Sequence, residues 1–124
     1  MSSELTSIIE QLRTFAHERD WQQFHSPKNL SMAISVESAE LLEHFQWLTE
    51  EQSKQLSPQA KQEVAYEMAD IFLYLLRMSD QLDISLIDSA RSKMLINAEK
   101  YPVEKSRGRS DKYTAYIKDE DNNA

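Results

Sequence analysis

The chain has 124 residues, a single glycine, no cysteine and a formal charge of −7. This length is enough for one domain with a buried core, and the shortage of glycine disfavours the tight hairpins of β-rich folds. The lack of cysteine excludes disulfides and thiolate metal sites in this chain, and the negative charge disfavours the binding of long nucleic acids.

Apolar residues repeat at three- and four-residue spacing and predict four helices. The first is predicted from about residue 4 to residue 19, and the connector "DWQQFH" follows it. Ser26-Pro27 has the pattern of an N-cap with proline at the first helical position, so a second helix is predicted to run from there to about Trp47. The next segment, "LTEEQSKQL", is predicted to be a polar loop.

The second half of the chain repeats these signals. Ser57-Pro58 predicts the start of a third helix, which should run to about Leu82. Asp83 is predicted to cap a fourth helix that runs to about Lys100, before Pro102. Together the helices predict an all-α, four-helix-bundle fold.

One domain is predicted over residues 1–116, followed by an acidic, disordered tail at 117–124. The basic segment 105–112 either closes over a phosphorylated ligand or is a solvated loop. The first residues do not resemble a signal peptide, and no apolar stretch is long enough to cross a membrane. We therefore expect no membrane partner and a cytoplasmic location.

Carboxylates occupy helix faces that should otherwise be apolar. In the predicted second helix, Glu37 shares a face with Leu30, and Glu40 follows one turn later on the flank of that face. In the third helix, Glu67 and Asp70 belong to a narrow polar stripe on an otherwise apolar surface. An unpaired carboxylate in such a setting either takes up a proton or finds a cation.

Two such pairs on facing helices can hold Mg²⁺, which prefers a few carboxylates, water and substrate phosphates. The chain has no Glu-x-x-His pair, which argues against a di-iron carboxylate site. The alternative is that both stripes are solvated helix faces of a non-catalytic interaction module.

The segments "ESAELLEHFQW" and "EMADIFLYLLR" resemble the all-α nucleoside triphosphate pyrophosphohydrolases of the MazG-like superfamily. Their signature is Glu-x-x-Glu on one helix and Glu-x-x-Asp on the next. "ERDWQQFHSPKNL", "FQW", "SKMLINAEKYPV" and "KYT" follow the order of the dCTP pyrophosphatase branch, so the resemblance spans residues 8–116. Val36 and Tyr66 stand where many members have a further glutamate.

The resemblance implies that Glu37, Glu40, Glu67 and Asp70 bind Mg²⁺ and carry catalysis. The implied reaction is hydrolysis of dCTP or modified dCTP to the monophosphate and pyrophosphate, in a homodimer or a homotetramer built as a dimer of dimers. The same reaction on dUTP or on a non-standard nucleoside triphosphate is the nearest alternative.

Two tryptophans flank the acidic helix. On residue type alone, Trp21 and Trp47 suit the core, because tryptophan is usually well buried. The resemblance implies instead that both line a base pocket, where an indole can stack on a pyrimidine. A single histidine in a connector, such as His25, is usually a surface residue. The resemblance implies instead that His25 faces the nucleotide.

Three further residues are candidates for substrate binding. Tyr74 lies one turn past Asp70, where its phenol can hydrogen-bond a sugar or a phosphate. On the fourth helix, Asn97 can offer a donor and an acceptor to the nucleotide. Lys93, one turn earlier, either reaches phosphates or is an ordinary exposed lysine.

Overall fold

The computed structural model describes residues 3–108, and this part of the chain is helical without any strand. The α-helices are α1 (Ser3–Glu18), α2 (Pro27–Glu43), α3 (Glu50–Ser53), α4 (Pro58–Gln81), α5 (Leu86–Lys100) and α6 (Val103–Ser106). A short 3₁₀-helix (Gln22–Phe24) lies in the connector between α1 and α2. The all-α class and the four long helices are therefore confirmed. Within the described residues, no helix is long and apolar enough to cross a membrane.

Both Ser-Pro starts are confirmed. The Ser26 hydroxyl accepts a hydrogen bond from the Asn29 backbone N–H, and the Ser57 hydroxyl accepts one from the Ala60 backbone N–H. In each case the proline that follows lacks an N–H, so it suits the first helical position, where that group would have no intrahelical partner.

The predicted end of the second helix at Trp47 is wrong, because α2 ends at Glu43. From there the backbone tightens: the amides of His44 and Phe45 donate to the carbonyls three residues back. The predicted polar loop is also wrong in part, since it contains α3. That helix begins with a capping box in which Thr49 and Gln52 satisfy each other's backbone N–H groups.

Asp83 does not cap the fourth helix as predicted. It has a φ of 54° and follows the last turn of α4, with its own N–H bonded to Asp80 and the N–H of Ile84 bonded to the Ser79 carbonyl. These two bonds form a Schellman motif, a common helix C-terminus. Asp20, with a φ of 53°, ends α1 in the same way.

The helices fall into two units, residues 3–85 and residues 86–108 of the described chain. In the first unit, α4 packs against α2 and α1. The core of this unit consists of five buried apolar residues: Leu5, Ala16, Leu30, Val64 and Leu76. The second unit contains α5 and α6, and the predicted basic segment 105–112 begins inside α6. The rest of that segment and the predicted tail at 117–124 lie outside the described residues.

Candidate active site

The packing of α2 against α4 brings the predicted acidic pairs together. One carboxylate oxygen from each of Glu37, Glu67 and Asp70 lies within 4.8 Å of the other two. Glu40 is outside this group of three, yet it is close enough to Glu37 to raise the pKa of Glu37. The acidic cluster is therefore centred on Glu37 and contains carboxylates from both helices.

The acidic cluster is short of positive partners. The Oε2 atoms of Glu37 and Glu67 are buried and have no hydrogen-bond partner among the described residues. The pKa of Glu37 is raised to about 7, first by burial and then by the neighbouring carboxyl groups of Glu67, Glu40 and Asp70. Burial and the neighbouring negative charges therefore favour the protonated form of Glu37 unless a cation is bound.

This arrangement fits a divalent metal ion. The ligand atoms are carboxylate oxygens only, which suit hard cations such as Mg²⁺ better than softer metals that prefer imidazole or thiolate. The two buried oxygens without partners are the atoms that a cation would satisfy.

Tyr74 lies one turn after Asp70 on α4. Its pKa is raised, first by burial and then by the negative charges of Glu37, Asp70 and Glu40. The phenol therefore keeps its proton at neutral pH and remains a hydrogen-bond donor beside the acidic cluster.

The connector after α1 holds Trp21 and His25 in an aromatic row. The Trp21 ring meets Phe15 edge-on at a centroid distance of 5.6 Å and meets His25 edge-on at 6.2 Å. The Arg19 guanidinium lies over the Phe15 ring, with Cζ 3.6 Å from the ring centroid, in a cation–π contact. Trp21 is 43% exposed, so it is not a core residue.

Trp47 lies in the turn that follows α2 and is 86% exposed. The alternative in which it fills the core of this chain is therefore wrong. Indole has a large apolar face, and such a degree of exposure leaves that face available to a ligand or a second subunit. Its role in a base pocket stays a prediction.

Lys93 and Asn97 lie one turn apart on α5, in the second unit, and both are exposed. They share a helix face, as predicted from their spacing. Their contact with the nucleotide stays a prediction.

Arg77 and Asp80 were not predicted from the sequence. Arg77 is only 6% exposed, and its Nε–H donates to Nδ1 of His25 at 3.3 Å. Asp80 pairs with Arg77 and accepts two hydrogen bonds from Arg13. The sequence contains one signal that could have pointed to Arg77, because this residue is the only basic one in the apolar stretch "FLYLLRM".

Comparison with known proteins links this site to one family. The sequence model of the MazG-like family matches residues 32–115, which include all four residues of the two acidic pairs. A pyrophosphatase from Archaeoglobus fulgidus has a similar crystal structure, with a TM-score of 0.77 and 38% sequence identity. That similarity covers 82% of this chain and 95% of the archaeal one.

Among curated proteins, the chain is similar to dCTP pyrophosphatase 1 of Bos taurus and of Mus musculus, each at 40% identity over 102 residues. The human protein of the same name is 39% identical over the same length. Each match covers 81% of this chain but 60% of the relative, so the chain spans about three fifths of the length of these proteins.

Proposed function

This chain belongs to the MazG-like family, and we propose that it is a Mg²⁺-dependent pyrophosphohydrolase that acts on dCTP or modified dCTP. The reaction consumes one water and yields the nucleoside monophosphate and pyrophosphate. Relatives at about 40% identity carry the name dCTP pyrophosphatase 1, which supports the choice of base. A role in clearing the nucleotide pool follows from that reaction, and a cytoplasmic location remains part of the proposal.

The observation that carries the proposal is the acidic cluster between α2 and α4. It holds two buried carboxylate oxygens that have no partner among the described residues, and a carboxyl group whose pKa is raised to about 7. A solvated stripe on an interaction module would not leave carboxylate oxygens buried and unpaired.

Glu37, Glu40, Glu67 and Asp70 would hold the metal. When bound, Mg²⁺ supplies charge neutralisation for the triphosphate and Lewis acidity toward water. Tyr74, whose phenol keeps its proton beside the acidic cluster, would donate a hydrogen bond to a phosphate or to the sugar. These groups act by positioning and electrostatic stabilisation.

The base would bind to aromatic surface. Trp21 and Trp47 both present exposed indole rings, and base stacking on such rings contributes about 1–3 kcal/mol per base. His25 lies against Trp21 and can add a directional hydrogen bond. Lys93 and Asn97 are proposed to reach the phosphates and the nucleoside, respectively.

We also propose a homodimer or homotetramer. Apolar side chains at helical spacing on α4 are exposed in the single chain: Met68 (58%), Phe72 (43%) and Leu75 (37%). A row of this kind is typical of a face that a second subunit covers.

The decisive experiment is hydrolysis of each dNTP by the wild type and by Glu37→Gln, with products separated by ion exchange. We expect the wild type to form dCMP and pyrophosphate from dCTP with Mg²⁺, and Glu37→Gln to be slower by about 100-fold or more because a metal ligand is weakened. Glu43→Gln, at the exposed end of α2, is the matched control and should retain activity.

The same panel separates the alternatives. Preference for dUTP or a non-standard triphosphate would contradict the proposed substrate but support the proposed pyrophosphohydrolase reaction. Equal turnover of all nucleotides would remove the proposed base preference. If neither protein forms a monophosphate from any substrate, the enzyme proposal fails, and the non-catalytic interaction module becomes the better hypothesis.

A further inference from the structure

The buried arginine of α4 contacts a residue that is 52 positions away in the chain. Nε of Arg77 lies 3.3 Å from Nδ1 of His25, and Nη1 lies 3.6 Å from Oδ2 of Asp80. Asp80 in turn accepts a hydrogen bond of 2.8 Å from Nε of Arg13, together with a second one from Nη2 of the same arginine. A charged network therefore connects α1 and α4 and ends at the imidazole.

The geometry of this contact selects one form of the imidazole. A guanidinium has five N–H donors and no acceptor, so the nitrogen that faces it must offer a lone pair. Nδ1 of His25 is that nitrogen. The imidazole is then neutral, with its proton on Nε2, because a proton on Nδ1 would point one donor at another.

The surroundings of His25 favour the same form. Its pKa is lowered, first by burial and then by the positive charge of Arg77. Within residues 3–108, the imidazole also meets the edge of the Trp21 ring, which is uncharged. Protonation of His25 would therefore place a second positive charge beside a buried arginine.

We propose that Arg77 is a positioning residue that holds His25 in its neutral form with the proton on Nε2, so that Nε2–H donates a hydrogen bond to the bound nucleotide. This inference rests on the proposed nucleotide site and assigns one chemical role to His25 within it. Asp80 completes the arrangement: it balances the charge of Arg77 and is itself anchored by Arg13, and its pKa is lowered chiefly by the hydrogen bond from Arg13.

The first test needs no nucleotide. Long-range ¹H–¹⁵N NMR spectra of the imidazoles distinguish a protonated from an unprotonated ring nitrogen. In the wild type we expect Nδ1 of His25 to be unprotonated and Nε2 to be protonated at neutral pH, with assignment by loss of the signals in His25→Gln. A proton on Nδ1, or an equal mixture of the two forms, would overturn the proposal.

Arg77→Met replaces the guanidinium donor with an apolar group on an unbranched side chain. Asp80 still has Arg13 as its partner in this variant. In this variant we expect the signals of His25 to shift toward a mixture of the Nδ1-protonated and Nε2-protonated forms. We also expect the pKa of His25 to rise, because the positive charge beside it is removed. Arg77→Lys should retain the wild-type pattern, because an ammonium group also offers donors only. Unchanged His25 signals in Arg77→Met would contradict the positioning role.

The second test uses two amides that each imitate one side of the ring. Glutamine places an N–H donor near the position of Nε2, whereas asparagine places an acceptor near that of Nδ1. We expect His25→Gln to keep a KM for dCTP close to that of the wild type, and His25→Asn to raise it by about 2- to 10-fold, the value of one hydrogen bond. A lower KM in the asparagine variant than in the glutamine variant would overturn the donor role of Nε2–H.

A double variant separates this role from general stability. If Arg77 acts through His25, Arg77→Met should have a higher KM for dCTP than the wild type. The double variant should then have nearly the same KM as His25→Gln alone. If the wild type hydrolyses no nucleotide, the proposed function fails, while the NMR spectra still decide whether Arg77 fixes the form of His25. Should Arg77→Met not fold, the form of His25 in the wild type and in Arg77→Lys, together with the KM values of the two His25 variants, decides the question.

Discussion

Glu37 is a carboxyl group of the acidic cluster whose protonation changes on folding. Its pKa rises from 4.5 to about 7 in the folded protein. Between these two values the folded state holds a proton that the unfolded chain has released. Because the folded state binds more protons, this residue makes the free energy of unfolding decrease as the pH rises from 4.5 to 7.

We therefore predict that Glu37→Gln reduces the pH dependence of stability in metal-free protein. Urea unfolding at pH 5 and pH 8 in the presence of a chelator should show a smaller loss of stability for the variant than for the wild type. Glu43→Gln, whose site is exposed, should behave as the wild type does. An equal loss in the wild type and Glu37→Gln would mean that Glu37 is not the group responsible.

For individual site residues, the sequence predicted the features that depend on local spacing. Each acidic pair, Glu37 with Glu40 and Glu67 with Asp70, is three positions apart on a helix. The spacing alone therefore places each pair on one helix face, without knowledge of how the helices pack. The contact between His25 and Arg77 could not be predicted in this way, because it depends on how the connector meets α4. The roles of the aromatic residues likewise depend on tertiary exposure, which residue type alone does not give.

The helix ends are the elements at which prediction and structure differ most. The Ser-Pro starts were predicted correctly because both the capping hydroxyl and the proline act within the first turn. No glycine or proline marks the end of α2, and its predicted end was therefore four residues too late. Asp83 was assigned to the start of a helix because aspartate commonly caps there, whereas here it follows the end of one.

The left-handed conformation of Asp83 leads to a prediction about stability. A φ of 54° is strained for most side chains, and least so for glycine, asparagine and aspartate. We expect Asp83→Val to lower the free energy of unfolding by about 1–2 kcal/mol and Asp83→Asn to change it by less than about 0.5 kcal/mol. Urea unfolding of both variants tests this, and equal stability of the two would show that the backbone conformation has no cost.

The exposed apolar row on α4 leads to a prediction about assembly. Light scattering coupled to size exclusion should give a dimer or tetramer for the wild type. Phe72→Glu should shift the protein toward monomer, because a charge would be buried at the interface. Gln62→Glu, at an exposed polar position of the same helix, is the control and should not change the mass. A monomeric wild type would contradict the proposed assembly.

The position of the two tryptophans also determines what optical spectroscopy can report. Both indoles lie outside the core, and Trp47 is 86% exposed. Tryptophan emission in the single chain is therefore a signal from the edges of the proposed nucleotide site and not from the packed interior. Quenching by a stacked base can be followed without an added dye, whereas loss of core packing is better followed by circular dichroism of the helices.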